Sequence, residues 1–352
     1  MCDTRGDGRL VYDITVEQFG HTFDCAENET ILSAALRNRV FLRYGCQHGG
    51  CGACKVRLVD GDVELTASSY ALPPRERDAG AILVCQSYPV EDCVIDVAEM
   101  QLGAEEFFRG DGAVARATVL ESVESLTPNV RRVVLRHPDR PMAFVAGQFV
   151  NVTVPGHAVA RSYSMANGSA DTDRIELICK MMPGGLFSRY VDEQARPGDE
   201  LIVNGPYGLM AIRLSHRDIV MVAGGAGLAP LLAMLTDLAD KRSTNRGVTL
   251  FFGARSTADL YALAEIAALQ DQLPALTFVP VLQAPPPGWT GAVGVVTDAL
   301  AAHSTVWSSH DAYLCGPPGM VDAARDLLVD RGVRPQNVYA DAFVCTGETP
   351  AP

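Results

Sequence analysis

The chain has 352 residues, 48% of them hydrophobic and 20% charged, with a formal net charge of −13. That length suits two or three domains; the composition is globular, without repeats or low-complexity tracts, and the acidity argues against nucleic acid as a partner. The N-terminal MCDTRGDGRL carries no apolar signal segment and the ten cysteines follow no disulfide framework, so a cytoplasmic, reducing location is expected.

In chain order, residues 10–24 (LVYDITVEQFGHTFD) alternate about a central Gly and predict a β-hairpin. Residues 30–40 (TILSAALRNRV) have helical spacing and lead into GCQHGGCGACK at 45–55. There Cys46, Cys51 and Cys54 are spaced C-x4-C-x2-C. Small core residues, a disulfide pair or half a zinc site are the plain alternatives. Core cysteines need no surrounding glycines, which cost backbone entropy, and no second Cys/His pair of zinc-like spacing follows. The spacing is that of a plant-type [2Fe–2S] ligand set, which takes a distant fourth Cys. Cys85, in AILVCQS, fits that place; Cys93, in VEDCVIDV, is the rival, though a small core residue fits there as well. Cys46-Gln47-His48 also matches half of a Rieske site, but the other half is missing.

VRLVDGDVEL (56–65) predicts two strands about an Asp-Gly turn, and ILVCQ and DCVIDV predict further strands, closing a mixed α+β domain near Val97. Residues 1–100 hold 16 acidic and 9 basic side chains, which suits docking on a partner by charge or plain solubility. Arg37, Arg39 and Arg43 precede the cysteine loop and form either a basic docking strip or an ordinary solvated face.

Residues 101–113 (QLGAEEFFRGDGA) read as a linker. From Val114 the chain is β-rich, with ARATVLESVESL, VRRVVLRHP, GQFVNVTVP, RSYSMAN and RIELICKMM predicting an antiparallel barrel over 114–214. Over 215–352 apolar strands (DIVMVAGGAG, GVTLFFGAR, LTFVPVLQ, DAYLCGPPG) alternate with helical stretches at 228–242, 257–272, 293–303 and 318–332, predicting a parallel α/β domain. The uncharged run Ile219 to Leu235 is broken by GGAG and Pro230 and is short for a bilayer; strand, turn and helix is the better reading, and no membrane partner is expected.

In VAGGAGLAP (222–230) a buried strand runs through glycines into a helix, which leaves backbone N–H groups free where phosphate binds; such a turn also serves mere packing. CGPPG (315–319) adds a second special loop at the same sheet edge, where ligands bind. RSYS (161–164) offers Arg161 as a planar fork for a diphosphate and Tyr163 as an aromatic face for a flat ring, although such a pair is often just rim. PGGLFSRYV (183–191) begins a helix with glycines ahead of Ser188.

Taken together and in this order, RSYS, GGLFS, VAGGAGLAP and CGPPG resemble the ferredoxin–NADP reductase superfamily. With the C-x4-C-x2-C…C domain in front, nearly the whole chain is similar to the reductase components of bacterial multicomponent oxygenases, and most of all to those of soluble di-iron monooxygenases. The resemblance implies a multidomain α+β protein with a β-grasp-like ferredoxin domain, an antiparallel β-barrel flavin domain and an α/β parallel-sheet nucleotide domain. It implies a [2Fe–2S] cluster on Cys46, Cys51, Cys54 and Cys85. It also implies FAD, rather than FMN, because the ferredoxin domain is N-terminal. Arg161, Ser162, Tyr163 and Ser164 would bind FAD, with Ser164 near the flavin N5, and Gly184, Gly185, Leu186 and Ser188 would hold its diphosphate. Gly224, Gly225, Gly227, Pro230, Arg255, Gly316 and Pro317 would line the NADH site, with Cys315 near the nicotinamide. Phe343 matches the aromatic that covers the flavin in relatives, although nine residues follow it. The implied activity is electron transfer from NADH through FAD and the cluster to an oxygenase hydroxylase component; a Rieske-type dioxygenase or another acceptor, or a non-enzymatic electron carrier, are the alternatives. Asp259, close behind Arg255 and Ser256, points to NADH rather than NADPH.

Overall fold

A computed structural model describes residues 3–5, 9–47, 49–50, 52–65, 71–100, 102–109, 115–137, 141–157, 159–208, 210–240 and 246–343. The chain divides into two compact units, Met1–Val114 and Ala115–Pro352.

In the first unit the predicted hairpin forms. Arg9–Val16 and His21–Ala26 pair antiparallel, with Ile14 opposite Phe23, around a tight turn that ends on Gly20 at φ 55°. Thr30 caps the helix Ile31–Arg37 by accepting the Ser33 N–H at 3.1 Å, and Ile31, Leu32, Ala34 and Ala35 are buried beneath it. The sheet is mixed: Arg9–Val16 runs parallel to Cys93–Asp96, and Lys55–Asp60 lies antiparallel between Cys93–Asp96 and Ala81–Leu83.

Two expectations need correction here. The Asp-Gly turn at 60–61 does not close a hairpin, because Val63–Leu65 leaves the main sheet to pair with Ser87–Pro89. The reason is a crossing backbone: a Cβ on Gly61, at φ 94°, would lie 2.4 Å from the Asp92 carbonyl and 2.9 Å from the Cys93 Cα. The incoming Cys93 strand therefore occupies the space a hairpin partner would fill. The stretch read as a linker is in part a helix, Ala104–Arg109. Phe107 within it is fully buried and stacks on Phe19 at 4.1 Å, and its carbonyl accepts the Phe41 N–H at 2.9 Å.

In the second unit six antiparallel strands are ordered Ala160–Ser164, Phe149–Thr153, Glu200–Tyr207, Ala115–Thr127, Val130–Arg136, Arg174–Lys180. The barrel expectation is met only as a sheet: among the described residues the two end strands meet through one isolated bridge, Met165 to Leu177, and no closed barrel ladder forms. Glu200–Tyr207, which sequence periodicity left unassigned, completes the middle of this sheet with Leu201 and Val203 inward.

The parallel domain forms as expected in its four central strands, but the helix expected over 257–272 starts only at Leu263, the one expected over 293–303 only at Val296, and two edge strands, Ala292–Val293 and Val338–Ala342, were not expected. Its strands are ordered Ala292–Val293, Leu276–Leu282, Val248–Ala254, Asp218–Gly224, His310–Gly316, Val338–Ala342, every neighbouring pair parallel. Helices Leu228–Asp240, Leu263–Gln272, Val296–Ala302 and Pro318–Asp330 alternate with them. The run from Ile219 is thus strand, turn and helix, and no helix among the described residues is long and apolar enough to cross a membrane. At the amino edge of this sheet Asp311, 2% exposed, binds Arg246 at 2.7 Å, Arg217 at 3.4 Å and the Ser215 hydroxyl at 2.5 Å. The carboxyl edge carries Gly224, Gly316 and Phe343.

The buried ring yields a direct test. Phe107→Ala should destabilise the full chain by about 3–5 kcal/mol, read as a lower urea midpoint. Phe108→Ala, at a side chain 53% exposed, should cost at most about 1.5 kcal/mol. Equal effects would show that residues 104–109 do not anchor the first unit.

Candidate cofactor sites

The cysteine loop follows the helix Ile31–Arg37. Cys54 and Cys85 are buried with their sulfurs 3.1 Å apart, and Cys46 acts electrostatically on both. Cys85 lies in the turn after Ala81–Leu83 rather than in the strand expected for ILVCQ. The loop backbone turns through positive φ at Gln47 (58°), Gly49 (79°) and Gly52 (71°), which points amides inward: the Gly50 N–H donates to the Cys46 sulfur at 3.2 Å, and the Gly49 N–H serves Cys85. The hydrogen bond between Cys54 and Cys85 draws the Cys54 thiol below its usual range and drives Cys85 above it, as a pair sharing one proton must. Cys51 lies outside the described residues, and among those described no three ligating side chains close on one point. Converging sulfurs with N–H donors aimed at them still fit an iron–sulfur cluster. Cys93 is placed differently. Its thiol faces the Asp62 and Glu91 carbonyls at 3.5 and 3.3 Å, and burial pushes it up to about 11.

The basic strip is not a uniform face. Arg37 binds Glu29 with two nitrogens (3.1 and 2.9 Å) and Asp24 at 3.0 Å, so its charge is met inside the first unit.

On the antiparallel sheet, Ala160–Ser164 pairs with Phe149–Thr153 so that Arg161 and Tyr163 share one face and Ser162 and Ser164 the other. Ser162 donates to Asn151 at 2.7 Å, and Ser164 is buried. The Arg161 guanidinium donates to the Ala160 carbonyl at 3.0 Å. Tyr163 lies 4.9 Å from the Phe187 ring, which brings RSYS to the GGLFS element; burial raises its phenol well above the usual range. That element is a short helix, Leu186–Arg189, entered through Gly184 at φ 74°. A Cβ on Gly185 would lie 3.1 Å from both the Met182 carbonyl and the Ser188 hydroxyl, which itself accepts the Met182 N–H at 2.8 Å. The result is a tight backbone cradle beside an aromatic face, which fits a flavin diphosphate and ring.

The two glycine loops of the parallel domain interlock. Ala223 is registered opposite Cys315, and a Cβ on Gly227 would lie 2.1 Å from the Cys315 carbonyl oxygen. A Cβ on Gly224 would lie 2.6 Å from the Met320 sulfur and 3.2 Å from the Pro317 ring, while Pro230 is buried in the first turn of Leu228–Asp240. Cys315 is fully enclosed, its sulfur 3.5 Å from that of Met210, and burial raises its thiol well above the usual range. Phe343 donates its N–H to the Gly316 carbonyl at 2.8 Å, so the CGPPG loop carries it. Arg255 follows Val248–Ala254, and Asp259 accepts both the Ser256 N–H (3.1 Å) and hydroxyl (2.9 Å). Sequence reasoning missed Tyr261, whose hydroxyl donates to the Gly225 carbonyl at 2.8 Å; no motif spacing marks it.

Three family descriptions match in chain order: a 2Fe-2S iron-sulfur cluster binding domain over residues 14–90, an oxidoreductase FAD-binding domain over 117–212 and an oxidoreductase NAD-binding domain over 221–326. The chain is 36% identical over 339 residues to the reductase component of phenol 2-monooxygenase from Pseudomonas sp. (strain CF600), covering 95% of each chain. It is 34% identical to the propane 2-monooxygenase reductase component of Mycolicibacterium goodii, covering 94% of this chain and 97% of that one. Among solved structures, the Amycolatopsis cytochrome P450 reductase matches at a TM-score of 0.75 and 31% identity, covering 94% of this chain and 98% of that one. The ferredoxin reductase in carbazole 1,9a-dioxygenase matches at 0.72 and 28%, covering 96% and 99%. The chain therefore belongs to the family of reductase components of multicomponent oxygenases, NADH-dependent oxidoreductases that bind a [2Fe–2S] cluster, FAD and NAD.

Proposed function

We propose that this chain passes electrons from NADH to the hydroxylase component of a di-iron monooxygenase. The observation that carries the reading is similarity over nearly the full length of both chains to the reductase components of phenol and propane monooxygenases. NADH gives its two electrons together as hydride, and an oxygenase centre takes them singly. When bound, FAD supplies the step from hydride to single electrons and the [2Fe–2S] cluster a one-electron relay.

The chain's own residues bind and orient. Cys46, Cys51, Cys54 and Cys85 would hold the cluster, with the Gly50 N–H facing the Cys46 sulfur and the Gly49 N–H that of Cys85. Arg161 would meet the flavin diphosphate together with the Gly184–Gly185–Leu186–Ser188 turn, Tyr163 would offer its face to the flavin ring, and Ser162 and Ser164 would bind from the same strand, with Ser164 near N5. Gly224, Gly225, Gly227, Pro230, Gly316 and Pro317 would shape the coenzyme cleft, Arg255 would take its ribose end, Cys315 would lie near the nicotinamide, and Phe343 would cover the flavin. The functional units assigned are 1–100, 114–214 and 215–352, with 101–113 between the first two. No side chain need give or take a proton for hydride transfer.

A second reading, a reductase serving a Rieske-type dioxygenase or another acceptor, is favoured by the structural likeness to the reductases of a cytochrome P450 and of carbazole dioxygenase. Purified reductase mixed with each oxygenase class decides: NADH-driven product formation with a di-iron hydroxylase is expected. Turnover only with a Rieske or haem partner would move the assignment to that class.

Two further outcomes follow from the site geometry. Cys85→Ser should abolish the visible cluster absorption while Cys93→Ser keeps it; the reverse would transfer the fourth ligand to Cys93. For the coenzyme, a 2′-phosphate near Arg255 would meet the fixed Asp259 carboxylate. One lost charge-assisted contact is worth about 1.5–3 kcal/mol, so kcat/KM should favour NADH by about tenfold to hundredfold. Equal values for NADPH would show that Arg255 outweighs Asp259.

A further inference from the structure

The segment between Val248–Ala254 and Leu263–Gln272 was expected to be one helix from 257, and it is not. A single turn, Thr257–Asp259, is followed by Leu260 and Tyr261 and then by Ala262 at φ 57°, ψ 22°. An alanine rarely occupies that left-handed region, and such a residue persists where its neighbours fix it from both sides. Here both sides are fixed. Before it, Tyr261 is 4% exposed, meets Phe252 edge-on at 5.4 Å, and donates its hydroxyl to the Gly225 carbonyl at 2.8 Å. After it, Glu265 holds Arg132 of the antiparallel sheet through both carboxylate oxygens, at 2.6 and 2.8 Å. The Arg132 side chain is 15% exposed and faces Glu124 at 3.5 Å and Glu176 at 3.8 Å as well.

We infer that Tyr261 is a positioning residue for the nicotinamide coenzyme, and that the Arg132–Glu265 pair ties it to the flavin-side sheet. The inference rests on reading the turn Gly225–Gly227 as the place where the coenzyme diphosphate binds. A peptide is planar and trans, so its C=O and the following N–H point to opposite sides. Fixing the Gly225 carbonyl on Tyr261 therefore turns the Ala226 N–H away from Tyr261, at a residue that remains partly exposed. That amide stands at the start of the thirteen-residue helix Leu228–Asp240, where an anion is favoured. Without the hydroxyl, the Gly225 carbonyl keeps only the Leu228 N–H of its own turn, and the Ala226 donor is held less firmly in its ready position. The carboxylate pair matters because Glu265 and Tyr261 flank one strained residue: releasing Arg132 lets Ala262 relax and carries Tyr261 off Gly225.

The experiment uses the full, cofactor-loaded protein. Amide exchange at residues 225–228, with and without NAD+, tests the site reading in the unaltered chain; protection is expected. Tyr261→Phe should raise KM for NADH about threefold to tenfold, the worth of one neutral hydrogen bond. Its kcat should stay within about twofold, with flavin and cluster absorbance unchanged. Glu265→Gln should act in the same direction, and the double variant should lose less than the product of the two single effects, because both work through one contact. No protection at 225–228 would overturn the site reading and the inference with it. Protection together with an unchanged KM in Tyr261→Phe would overturn the inference alone, as would loss of flavin from that variant. Multiplicative effects in the double variant would remove the role given to Arg132 and Glu265.

Discussion

The coenzyme edge depends on one backbone contact. Gly227 lies so close to the Cys315–Gly316 peptide that a methyl group has no room, and at Gly316, at φ 146°, a Cβ would lie 2.9 Å from the Gly224 carbonyl oxygen and 3.1 Å from its amide nitrogen. That contact ends the strands Asp218–Gly224 and His310–Gly316 at the same height and starts Leu228–Asp240 directly over the second loop. Phe343, bonded to the Gly316 carbonyl, adds the end of the edge strand to the same place. A site made this way is lined by amides and carbonyls more than by side chains. Such a lining offers an anion fixed dipoles, which need no reorganisation when a ligand arrives.

In the first unit the corresponding constraint is what surrounds each sulfur. Burial among apolar groups pushes Cys25 up to about 12 and Cys93 up to about 11, and Cys179 and Cys315 are raised by the same cause. Such thiols stay protonated and inert. Cys46, Cys54 and Cys85 differ in being gathered together: the Cys54 and Cys85 sulfurs lie 3.1 Å apart, Cys46 acts on both, and the Gly50 and Gly49 N–H groups face Cys46 and Cys85. The glycines of GCQHGGCGACK are what lets the chain bend its amides inward. Thiols alike in the sequence are thus divided by backbone geometry into structural ones and ones suited to metal.

Much of this was legible in the sequence, and the reason differs by region. The four inner strands of the parallel domain were read because they stand as apolar runs, most fully buried in Asp218–Gly224 and His310–Gly316, while the half-exposed edge strands Ala292–Val293 and Val338–Ala342 gave no such run. The hairpin at 10–24 was read from alternation, and its partner choice was local. The Asp-Gly turn at 60–61 was misread because the strand that displaces the hairpin, Cys93–Asp96, arrives from thirty residues away. Helix Ala104–Arg109 was hidden among glycines and charges, with only the pair Phe107–Phe108 to mark a buried face. The barrel expectation followed from strand count, but closure is a property of the two end strands, and nothing in RSYSMAN or RIELICKMM specifies more than one bridge between them. Tyr261 had no signal at all: its partner is a backbone carbonyl, and carbonyls leave no trace in composition.

The arginines show how far charge can be read from sequence. Arg37, Arg39 and Arg43 look like a basic strip in an acidic domain, yet Arg37 is held by Asp24 and Glu29, and in the same unit Arg57 binds Asp96 and Lys55 binds Glu76. Each such pair cancels one base against one acid and leaves the surplus untouched. Since residues 1–100 hold 16 acids against 9 bases, internal pairing uses up bases faster, in proportion, than acids. The field this unit sends into solvent is therefore negative and would favour a basic acceptor face over an acidic one. Its reach is about 8–10 Å at ordinary salt, so any effect on encounter with a partner would fall as salt is raised, whereas the backbone geometry around the sulfurs would not change.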